Sequence, residues 1–253
     1  MNPDGYFTTK DLLDYEKASK KALILLNNLL HMFYLERPKF FGCIMADRIK
    51  TLDSINGKVR KKKNKKGVDF DINLDLLDIA GLRVIFCDVE NSLIDIDTLD
   101  NNIGSWDPET FRLEFEKSKL KSCNYDIKLI YDFIEYLARK CDNVCIIKDY
   151  IMYQKESGYQ SIHVVIDIPV ETKCNSFPDG IRHCPVEIQF RNYTQHLFDQ
   201  CEHDVRYKKC GKNVKDYEDV FNESKDFLKK ISDNTLYEMS CDDRQYLFVR
   251  KNN

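Results

Sequence analysis

Four short apolar segments, separated by longer stretches of helical periodicity, most constrain how this chain can fold. They cover residues 79–86, 143–150, 161–169 and 184–192, and each has the length and apolar content of a strand. Strands that alternate with helices favour an α/β or α+β fold around a mixed sheet. The pattern therefore predicts a layered fold with four strands.

Helical periodicity extends over most of the remaining chain. From residue 8 to 37 apolar residues recur with helical spacing, a threonine can cap the first turn, and Pro38 ends the run. Helices are also predicted for residues 108–140, with a break near residue 123, and for residues 193–239, with a break at Gly211. Because no internal repeat or low-complexity linker is visible, the sequence predicts a single domain over residues 1–253.

The segment before the first predicted strand contains an apolar pattern and a run of positive charge. Helical spacing after Gly42 predicts a second helix, whose apolar face would consist of Met45, Ile49, Leu52 and Ile55. Residues 58–66 contain seven Lys or Arg in nine positions. Such a run is typical of a loop exposed to solvent, and a surface that holds a nucleic-acid backbone is the alternative.

Charge and composition exclude several classes of protein. Thirty-nine Lys plus Arg against 42 Asp plus Glu give a net charge of -3, which excludes a globally basic nucleic-acid coat protein. No apolar run approaches the roughly 18 residues of a membrane span, and the first residues do not resemble a secretory signal. We therefore expect a cytoplasmic protein. Its ten cysteines include no C-x-x-C pair, which predicts free thiols rather than a zinc site.

The last predicted strand carries polar residues at alternate positions. Because side chains alternate along a strand, Glu187, Gln189 and Arg191 share one face, and the apolar residues between them share the other. One face then packs, and the other carries out chemistry or meets water. An edge strand with one solvated face is the alternative.

Two carboxylates and an arginine near the predicted strands suggest a site for a metal or an anion. Asp78 directly precedes the first strand, and Arg83 lies inside it, where an unpaired charge is costly to bury. Asp78 and Glu187 can together hold Mg²⁺, which binds one or two carboxylates plus substrate phosphates. Carboxylates at strand ends also occur as caps or surface groups.

The loop between the second and third predicted strands interleaves lysines, aromatic rings and glycine. Lys148 and Lys155 precede Gly158 and Tyr159, and His163 follows on the next strand. Charged donors beside a ring that can stack suit a phosphorylated ligand that carries a base.

These residues fall into five blocks that together resemble the synthetase domain of the RelA/SpoT family over about residues 44–212. The blocks are Arg48-x-Lys50-x-x-x-Ser54-x-x-x-Lys58; Asp78-Ile79-Ala80-Gly81-Leu82-Arg83-Val84; Lys148-Asp149-Tyr150-Ile151 with Lys155-x-x-Gly158-Tyr159-Gln160-Ser161-x-His163; Val186-Glu187-Ile188-Gln189-x-Arg191; and Glu202-His203-x-x-x-Tyr207-Lys208. Each block alone is a weak signal. Five blocks in the family's order resemble the small alarmone synthetase type, which includes a toxic subgroup.

The resemblance implies both a fold and a reaction. The fold is a mixed five-stranded sheet flanked by helices and related to the nucleotidyltransferases, one strand more than the pattern alone predicts. The reaction is that of an ATP-dependent pyrophosphokinase, which transfers the β,γ-diphosphate of ATP to the ribose 3′-hydroxyl of GDP or GTP and gives (p)ppGpp and AMP. No hydrolase motif is visible, so we expect a synthetase-only form.

On the donor side, the resemblance implies that Arg48 and Arg83 sandwich the adenine of ATP, which accounts for an arginine on an apolar strand. The residues implied to contact the phosphates are Lys50, Ser54 and Lys58. Asp78 and Glu187 would bind Mg²⁺, and Glu187 would also take the proton from the acceptor hydroxyl.

On the acceptor side, the resemblance implies that Tyr159 stacks on the acceptor base. The residues implied to line the rest of this side are Lys148, Lys155, His163, Gln189 and Arg191. Three features depart from the family pattern. Ser157 stands where many members have Asn, Asn192 replaces the usual Thr, and the spacing between the second and third blocks is long.

The identity of the acceptor therefore stays open. Some small members of the family are toxins that place the diphosphate on the 3′ end of tRNA. Residues 195–204 are nearer to a Q-H-x-x-x-x-x-E-H-D pattern than to the M-D-F-W pattern of housekeeping members, and residues 58–66 can hold a phosphate backbone. tRNA, with a cognate antitoxin as partner, is the alternative to GDP or GTP, and a homo-oligomer is compatible with both.

Overall fold

A five-stranded mixed sheet lies at the centre of the protein, which is described here from a computed structural model. In chain order the strands are β1 (Cys43–Ile49), β2 (Ala80–Phe86), β3 (Val144–Asp149), β4 (Ile162–Glu171) and β5 (Ile181–Asn192). Across the sheet the order is β1-β2-β5-β4-β3, with β2 and β5 parallel and the other neighbours antiparallel. The predicted five-stranded sheet is confirmed.

Six α-helices flank this sheet within the described residues, which are 6–36, 43–67, 70, 75–86, 107–119, 124–173, 177, 180–206 and 214–240. The helices are α1 (Thr9–Glu36), α2 (Leu52–Lys66), α3 (Pro108–Lys119), α4 (Asn124–Lys140), α5 (Tyr193–Arg206) and α6 (Glu218–Ser240), and a short 3₁₀ helix (Val214–Tyr217) precedes α6. The helices predicted for residues 8–37, 108–140 and 193–239 are confirmed where the structure describes them, and the predicted breaks near residue 123 and at Gly211 lie outside the described residues. Within these ranges, no helix has the length and apolar character needed to cross a membrane.

The helix predicted after Gly42 is wrong for residues 43–49 and correct from Leu52 onward, since Leu52 and Ile55 lie on α2. Residues 43–49 form strand β1, so Met45 and Ile49 belong to a strand that pairs antiparallel with the whole of β2. The helix begins only at Leu52, after the N-cap residue Thr51. Pairing with β2 satisfies the backbone of residues 43–49, and this tertiary contact overrides the helical spacing of the apolar residues.

The basic run also differs from its prediction, since residues 58–66 form the second half of α2 rather than a loop. The helix ends at Gly67, whose φ of 61° lies in the left-handed region that favours glycine. The lysines of the run are therefore spaced around a helix, and only some of them face solvent.

The apolar face of the sheet packs against α1 and α4. Val84 of β2 and Ile188 and Phe190 of β5 are fully buried, and they belong to one cluster with Leu26 of α1 and Phe133 of α4. Burial of each such large side chain contributes about 1.5–3 kcal/mol. The apolar residues of β5 thus point into the core as predicted, and the polar residues that alternate with them point to the opposite side.

A second apolar cluster lies where α3, α5 and α6 meet. Phe111 of α3 packs in T-shaped contact with Phe221 of α6, which does the same with Phe198 of α5. The Thr194 hydroxyl also donates to the backbone carbonyl of Ser118 at 3.0 Å. Helix α3, which lies in the long spacing between the second and third blocks of the resemblance, therefore supports the helix that follows β5.

A buried ion cluster ties α1 to the start of β5. The Arg182 guanidinium donates to Asp11 at 2.8 Å and lies 3.6 Å from Asp14, which also accepts a hydrogen bond from Thr172 at 2.7 Å. Burial alone would raise the pKa of Asp11, but hydrogen bonds from Thr8 and Arg182 outweigh it and lower the pKa to about 2. We call Arg182, Asp11, Asp14 and Thr172 the Arg182 cluster.

Candidate active site

The strand register collects the predicted site residues on the face of the sheet opposite the apolar core. Gly81 of β2 pairs with Arg48 of β1 and with Glu187 of β5, and Arg83 pairs with Gln189. Directly paired residues point to the same side of a sheet. These side chains therefore share one surface. Because Gly81 has no side chain, it leaves space on this surface beside Glu187.

Strands β4 and β3 extend this surface, because His163 pairs with Gln189, and Lys148 pairs with His163. We call it the polar face, and it consists of Arg48, Arg83, Lys148, His163, Glu187, Gln189 and Arg191. Strand β5 lies between β2 and β4, which excludes the alternative that it is an edge strand.

Glu187, His163 and Tyr159 form a hydrogen-bonded chain on the polar face. Glu187 Oε1 lies 3.0 Å from His163 Nδ1, and His163 Nε2 lies 2.8 Å from the Tyr159 hydroxyl. Glu187 and His163 are both buried, with 9% and 8% of their surface exposed. The carboxylate is thus held in one orientation from the side of β4.

The pKa shifts of Glu187 and Tyr159 show which form each of these two groups takes at neutral pH. Burial alone would raise the pKa of Glu187, but the hydrogen bond to His163 outweighs it and holds the pKa below its ordinary value. Glu187 is therefore a carboxylate at neutral pH, and because a carboxylate only accepts, His163 Nδ1–H is the donor. Burial raises the pKa of Tyr159 to about 12, so the hydroxyl keeps its proton at neutral pH and lies within hydrogen-bond distance of His163 Nε2.

The same carboxylate connects to Arg191 through Gln189. Gln189 Nε2 donates to Glu187 Oε2 at 3.1 Å, and the Arg191 guanidinium donates to Gln189 Oε1 at 2.7 Å. A second nitrogen of Arg191 donates to Asp199 of α5. Burial alone would lower the pKa of Arg191, but the Asp199 charge outweighs it and raises the pKa, so the guanidinium stays charged.

Asp78 lies just before β2, between two lysines. Its Oδ2 accepts hydrogen bonds from the ammonium groups of Lys50 and Lys58, the second at 2.5 Å. Burial alone would raise the pKa of Asp78, but the two ammonium groups outweigh it and lower the pKa to about 2. The negative charge of Asp78 raises the pKa of Glu187 against the net lowering, so the two predicted metal ligands are close enough to interact electrostatically.

The N-terminus of α2 adds anion-binding groups beside Asp78. Ser54 is exposed in the first turn of α2, and Lys58 follows one turn later on the same side. The free N–H groups and the positive end of the dipole at a helix N-terminus both favour anions. Lys50, Ser54 and Lys58 together therefore form a surface suited to phosphate groups.

Arg48 and Arg83 project from neighbouring strands at the other side of Glu187. Arg48 pairs with Gly81, two residues before Arg83, and such diagonal neighbours are about 7–8 Å apart. This spacing admits one flat ring between two guanidinium groups. Burial and the nearby charge of Arg191 lower the pKa of Arg83 to about 10, which still leaves it charged at neutral pH.

The β3–β4 loop, residues 150–161, begins with a turn built on Asp149. The Asp149 carboxylate accepts hydrogen bonds from the N–H groups of Ile151 and Met152 at 3.0 and 2.8 Å, and from the Tyr131 hydroxyl at 2.9 Å. Asp149 therefore shapes the loop, and its buried position keeps it away from substrate.

The rings of the β3–β4 loop form a cationic aromatic cluster. The Lys155 ammonium lies 3.9 Å from the centre of the Tyr150 ring and 4.4 Å from that of Tyr159. Both rings are in T-shaped contact with His163. Lys148 lies 5.8 Å from the Tyr150 ring centre, so all residues assigned to the acceptor side by resemblance are adjacent.

Three residues of this region have roles that the sequence reasoning missed. Asp149 and Tyr150 lie inside the third block of the resemblance, and membership of that block could have identified them as candidates. Asp199 carried no such signal, since it lies on the surface of α5 and meets Arg191 only because α5 folds back over β5.

Two of the departures from the family pattern have structural roles. The Ser157 hydroxyl accepts a hydrogen bond from the Tyr159 N–H at 3.3 Å, so it shapes the loop. Asn192 Oδ1 accepts from the Gln195 N–H at 2.8 Å, and Gln195 Oε1 accepts from the Asn192 N–H at 2.9 Å. This reciprocal capping box starts α5, a position where threonine is also favoured.

The last block of the resemblance is described only in part. Glu202 and His203 lie on α5, whereas Tyr207 and Lys208 lie outside the described residues. The described residues contain no group of three or more His, Cys, Asp or Glu that could hold a metal ion. The two carboxylates predicted to bind Mg²⁺ are Glu187, on the polar face, and Asp78, just before β2.

Comparison with known proteins shows which family and which fold this chain resembles. Residues 47–212 match the family described as "Region found in RelA / SpoT proteins". Two relatives from Bacillus subtilis (strain 168) are similar over shorter stretches. GTP pyrophosphokinase YjbM is 36% identical over 86 residues, which are 34% of this chain and 37% of that protein. GTP pyrophosphokinase YwaC is 26% identical over 115 residues, which are 45% of this chain and 52% of that protein.

The chain thus spans 37% and 52% of the length of these two relatives. Among solved structures, a GTP pyrophosphokinase family protein from Streptococcus pneumoniae superposes with a TM-score of 0.51 and 23% identity. The superposition covers 90% of this chain and 89% of that chain, and it shows a shared fold.

Proposed function

Because the chain belongs to the RelA/SpoT family, whose pattern it matches over residues 47–212, we propose that it is a GTP pyrophosphokinase of the small alarmone synthetase type. It transfers the β,γ-diphosphate of ATP to the ribose 3′-hydroxyl of GDP or GTP and releases AMP. ATP and the guanosine nucleotide are its substrates, and we expect it to act in the cytoplasm, where both occur.

The continuity of the polar face carries this proposal. Groups suited to ATP lie over β1, β2 and the start of α2, and groups suited to a second nucleotide lie over β4 and the β3–β4 loop. Glu187 lies on β5 between them, hydrogen-bonded on both sides. A two-substrate transfer needs this order of donor site, base and acceptor site.

On the donor side, the flat adenine ring lies between the guanidinium groups of Arg48 and Arg83. The triphosphate then extends toward the N-terminus of α2. There the ammonium groups of Lys50 and Lys58 exchange their contact with Asp78 for the phosphate oxygens. Charge neutralisation and positioning of this kind supply most of the catalysis in phosphoryl transfer.

At the reacting centre, the Glu187 carboxylate accepts the proton of the acceptor's 3′-hydroxyl. The hydroxyl oxygen forms a bond to the β-phosphorus of ATP, and the bond from that phosphorus to the oxygen bridging to the α-phosphate breaks. AMP leaves with that oxygen. His163 and Gln189 hold Glu187 in place during this step, because each hydrogen bonds to one of its two carboxylate oxygens.

The carboxylates of Asp78 and Glu187 fit Mg²⁺, which prefers oxygen ligands and is commonly held by two carboxylates together with substrate phosphates. Mg²⁺ bound there would neutralise charge on the transferring diphosphate. The low pKa of Asp78 keeps this carboxylate ionised at neutral pH, as a metal ligand requires.

A labelling experiment tests the proposed function. The purified protein is given ATP labelled at the γ-phosphate together with GDP, GTP and deacylated tRNA in competition. We expect label on a guanosine nucleotide and an equal amount of AMP. Label that stays in ATP, or that leaves as inorganic phosphate, would contradict the assignment.

The 3′ end of tRNA is the second candidate acceptor, and the exposed side of α2 favours it. Arg60, Lys61 and Lys65 are exposed on the helix whose first turn holds the proposed phosphate site. By contrast, the ammonium of Lys62 donates to the backbone carbonyl of Asp75, and that of Lys63 lies 5.3 Å from the Tyr6 ring centre. A nucleic-acid backbone would therefore contact the first three residues.

The same assay separates the two acceptors. If tRNA is the acceptor, label appears mainly on tRNA and falls when Arg60, Lys61 and Lys65 are replaced by glutamine. The control protein carries glutamine at three exposed lysines on other helices, Lys20, Lys128 and Lys230, and so has the same change of charge. Label on GDP or GTP that is insensitive to both sets would exclude a role for the basic helix in acceptor binding.

A further inference from the structure

Gln160 connects the β3–β4 loop to two helices. It directly follows Tyr159, and only 2% of its surface is exposed. Its Oε1 accepts hydrogen bonds from Gln195 Nε2 on α5 and from the Ser232 hydroxyl on α6, each at 2.9 Å. One buried oxygen next to Tyr159 thus depends on both helices.

The hydrogen bond from Ser232 is not easily replaced by water. Ser232 is fully buried, as are Gln160 and Gln195 at 2% and 1% exposure. A buried acceptor that loses a partner bears a desolvation penalty, whereas an exposed acceptor would bond to solvent instead. Removing the Ser232 hydroxyl should therefore loosen Gln160 and the backbone beside it.

A second contact between the loop and α6 lies at Gly158. Its φ of 87° is in the left-handed region, and a Cβ atom there would overlap the stem of Lys225 and lie 3.1 Å from the Phe198 ring. Lys225 and Ser232 are seven residues apart on α6 and so face the same side. The loop therefore rests on one face of α6 at two points, on either side of Tyr159.

Helix α6 is itself well anchored. Phe221 and Leu228 are buried in the second apolar cluster, and Ile231 packs in the core under the sheet. The helix, Glu218–Ser240, lies beyond the family match, which ends at residue 212. It can therefore act as a fixed support that the family blocks themselves do not supply.

We propose that α6, through Ser232 and Gln160, holds the β3–β4 loop in the conformation that binds the acceptor. Ser232 is then a positioning residue for the acceptor, since it acts through Gln160 and touches no substrate. This inference rests on the proposed function, because Tyr159 and Lys155 of the loop are its acceptor-binding residues. The donor side does not contact α6 through this loop and should be unaffected.

A pair of matched variants tests the proposal by kinetics. Ser232→Ala should raise the KM for the guanosine nucleotide about two- to tenfold, the equivalent of one lost hydrogen bond, while the KM for ATP stays unchanged. Ser224→Ala is the control, because Ser224 is equally buried on α6 but donates to the Val220 carbonyl of its own helix at 2.6 Å. It should leave both KM values unchanged.

A double-mutant cycle checks that Ser232 acts through Gln160. Gln160→Met removes the shared acceptor atom, so adding Ser232→Ala should then cause no further rise in the acceptor KM. If the two substitutions multiply their effects on KM, Ser232 acts by another route and the proposal is wrong.

Hydrogen exchange gives a readout that does not depend on activity. Peptides covering residues 150–162 should exchange faster in Ser232→Ala than in wild type and Ser224→Ala. Equal exchange in all three proteins would overturn the proposal, as would equal KM changes in the two serine variants. If the wild type transfers no label to a guanosine nucleotide, the proposed function fails, and exchange alone decides whether α6 holds the loop.

Discussion

Strand β5 carries two fully buried arginines, one near each end, and their surroundings differ. Arg182 is on the core side, where it meets the carboxylates of Asp11 and Asp14 on α1. Arg191 is on the polar face, where it meets Asp199 and continues through Gln189 to Glu187. Arg182 thus forms its ion pairs within the buried ion cluster at α1. Arg191 is the first member of a chain of hydrogen bonds that runs through Gln189 to the carboxylate of Glu187.

This difference shows that burial of a charge does not by itself mark a site. Both arginines have a pKa that is raised against the effect of burial, by Tyr15, Cys184 and Asp11 around Arg182 and by Asp199 and Tyr159 around Arg191. The two arginines differ in the groups to which their hydrogen bonds connect them. The Arg182 cluster joins α1 to β5 and to Thr172, just after β4, and so stabilises the packing of the helix on the sheet, whereas the Arg191 chain orients Glu187, the base of the proposed reaction.

The largest expected effect concerns the end of the Arg191 chain. Glu187→Gln should lower the rate of AMP release about 10²–10⁴-fold, because the variant lacks the base that accepts the 3′-hydroxyl proton. ATP binding should change little, whereas the melting temperature should fall modestly, because the glutamine amide keeps the shape of the carboxylate but turns an N–H group toward one of the two donors from which Glu187 accepts, His163 or Gln189. An AMP assay on a correctly folded variant checks this, and near-normal turnover would remove Glu187 from the catalytic role.

Replacing each arginine by methionine should have opposite consequences: one variant should mainly lose stability, and the other should mainly lose activity. Arg182→Met should lower the free energy of unfolding by about 3–5 kcal/mol, because it leaves two buried carboxylates without their cation. The activity per folded molecule should stay near that of wild type. Arg191→Met should lose less stability, because the side chain of its partner Asp199 is 18% exposed and can reach water, but should lose activity. Urea unfolding with an activity assay checks both, and equal stability losses would show that the two arginines do not differ in this way.

A smaller effect is expected at the donor side of the polar face. Arg83→Ala should weaken binding of a non-hydrolysable ATP analogue about two- to thirtyfold, the range for loss of one cation–π contact. Binding of GDP should change less. Isothermal titration measures both, with the exposed Arg139→Ala on α4 as control. Unchanged ATP affinity would return Arg83 to a structural role.

The smallest effect is a dependence of stability on acid pH in the Arg182 cluster. The pKa of Asp11 is about 2 in the folded protein, below the ordinary value of 3.8. The carboxylate therefore contributes stability above about pH 4, which is lost as the pH falls toward 2. Between pH 5 and 3, wild type should lose more stability in urea than Asp11→Asn. The exposed Asp219→Asn serves as control and should behave like wild type.

The parts predicted correctly are those that local patterns determine. The alternation in β5 assigned Glu187, Gln189 and Arg191 to one face because side-chain direction along a strand has a fixed period of two. The buried strand β2 and the helix α1 followed from apolar runs and caps for the same reason. These signals need no knowledge of distant contacts.

The parts predicted wrongly depend on pairing between distant residues. Strand β1 has apolar residues at helical spacing, and only its pairing with β2 makes it a strand. Two contacts were missed rather than predicted wrongly: the ion pair from Arg191 to Asp199 and the hydrogen bond from Ser232 to Gln160 form because α5 and α6 pack against the sheet and its loop. Neither leaves a pattern along the chain.

The most direct test of the account is to identify the group that is transferred from ATP to the acceptor. Phosphorus NMR of the products from ATP and GTP can show both the position of the transferred group and the second product. We expect a diphosphate on the 3′-oxygen of the guanosine nucleotide and AMP in equal amount, with both formed far more slowly by Glu187→Gln. Formation of ADP with a single transferred phosphate, or release of inorganic phosphate without a 3′ product, would contradict the account.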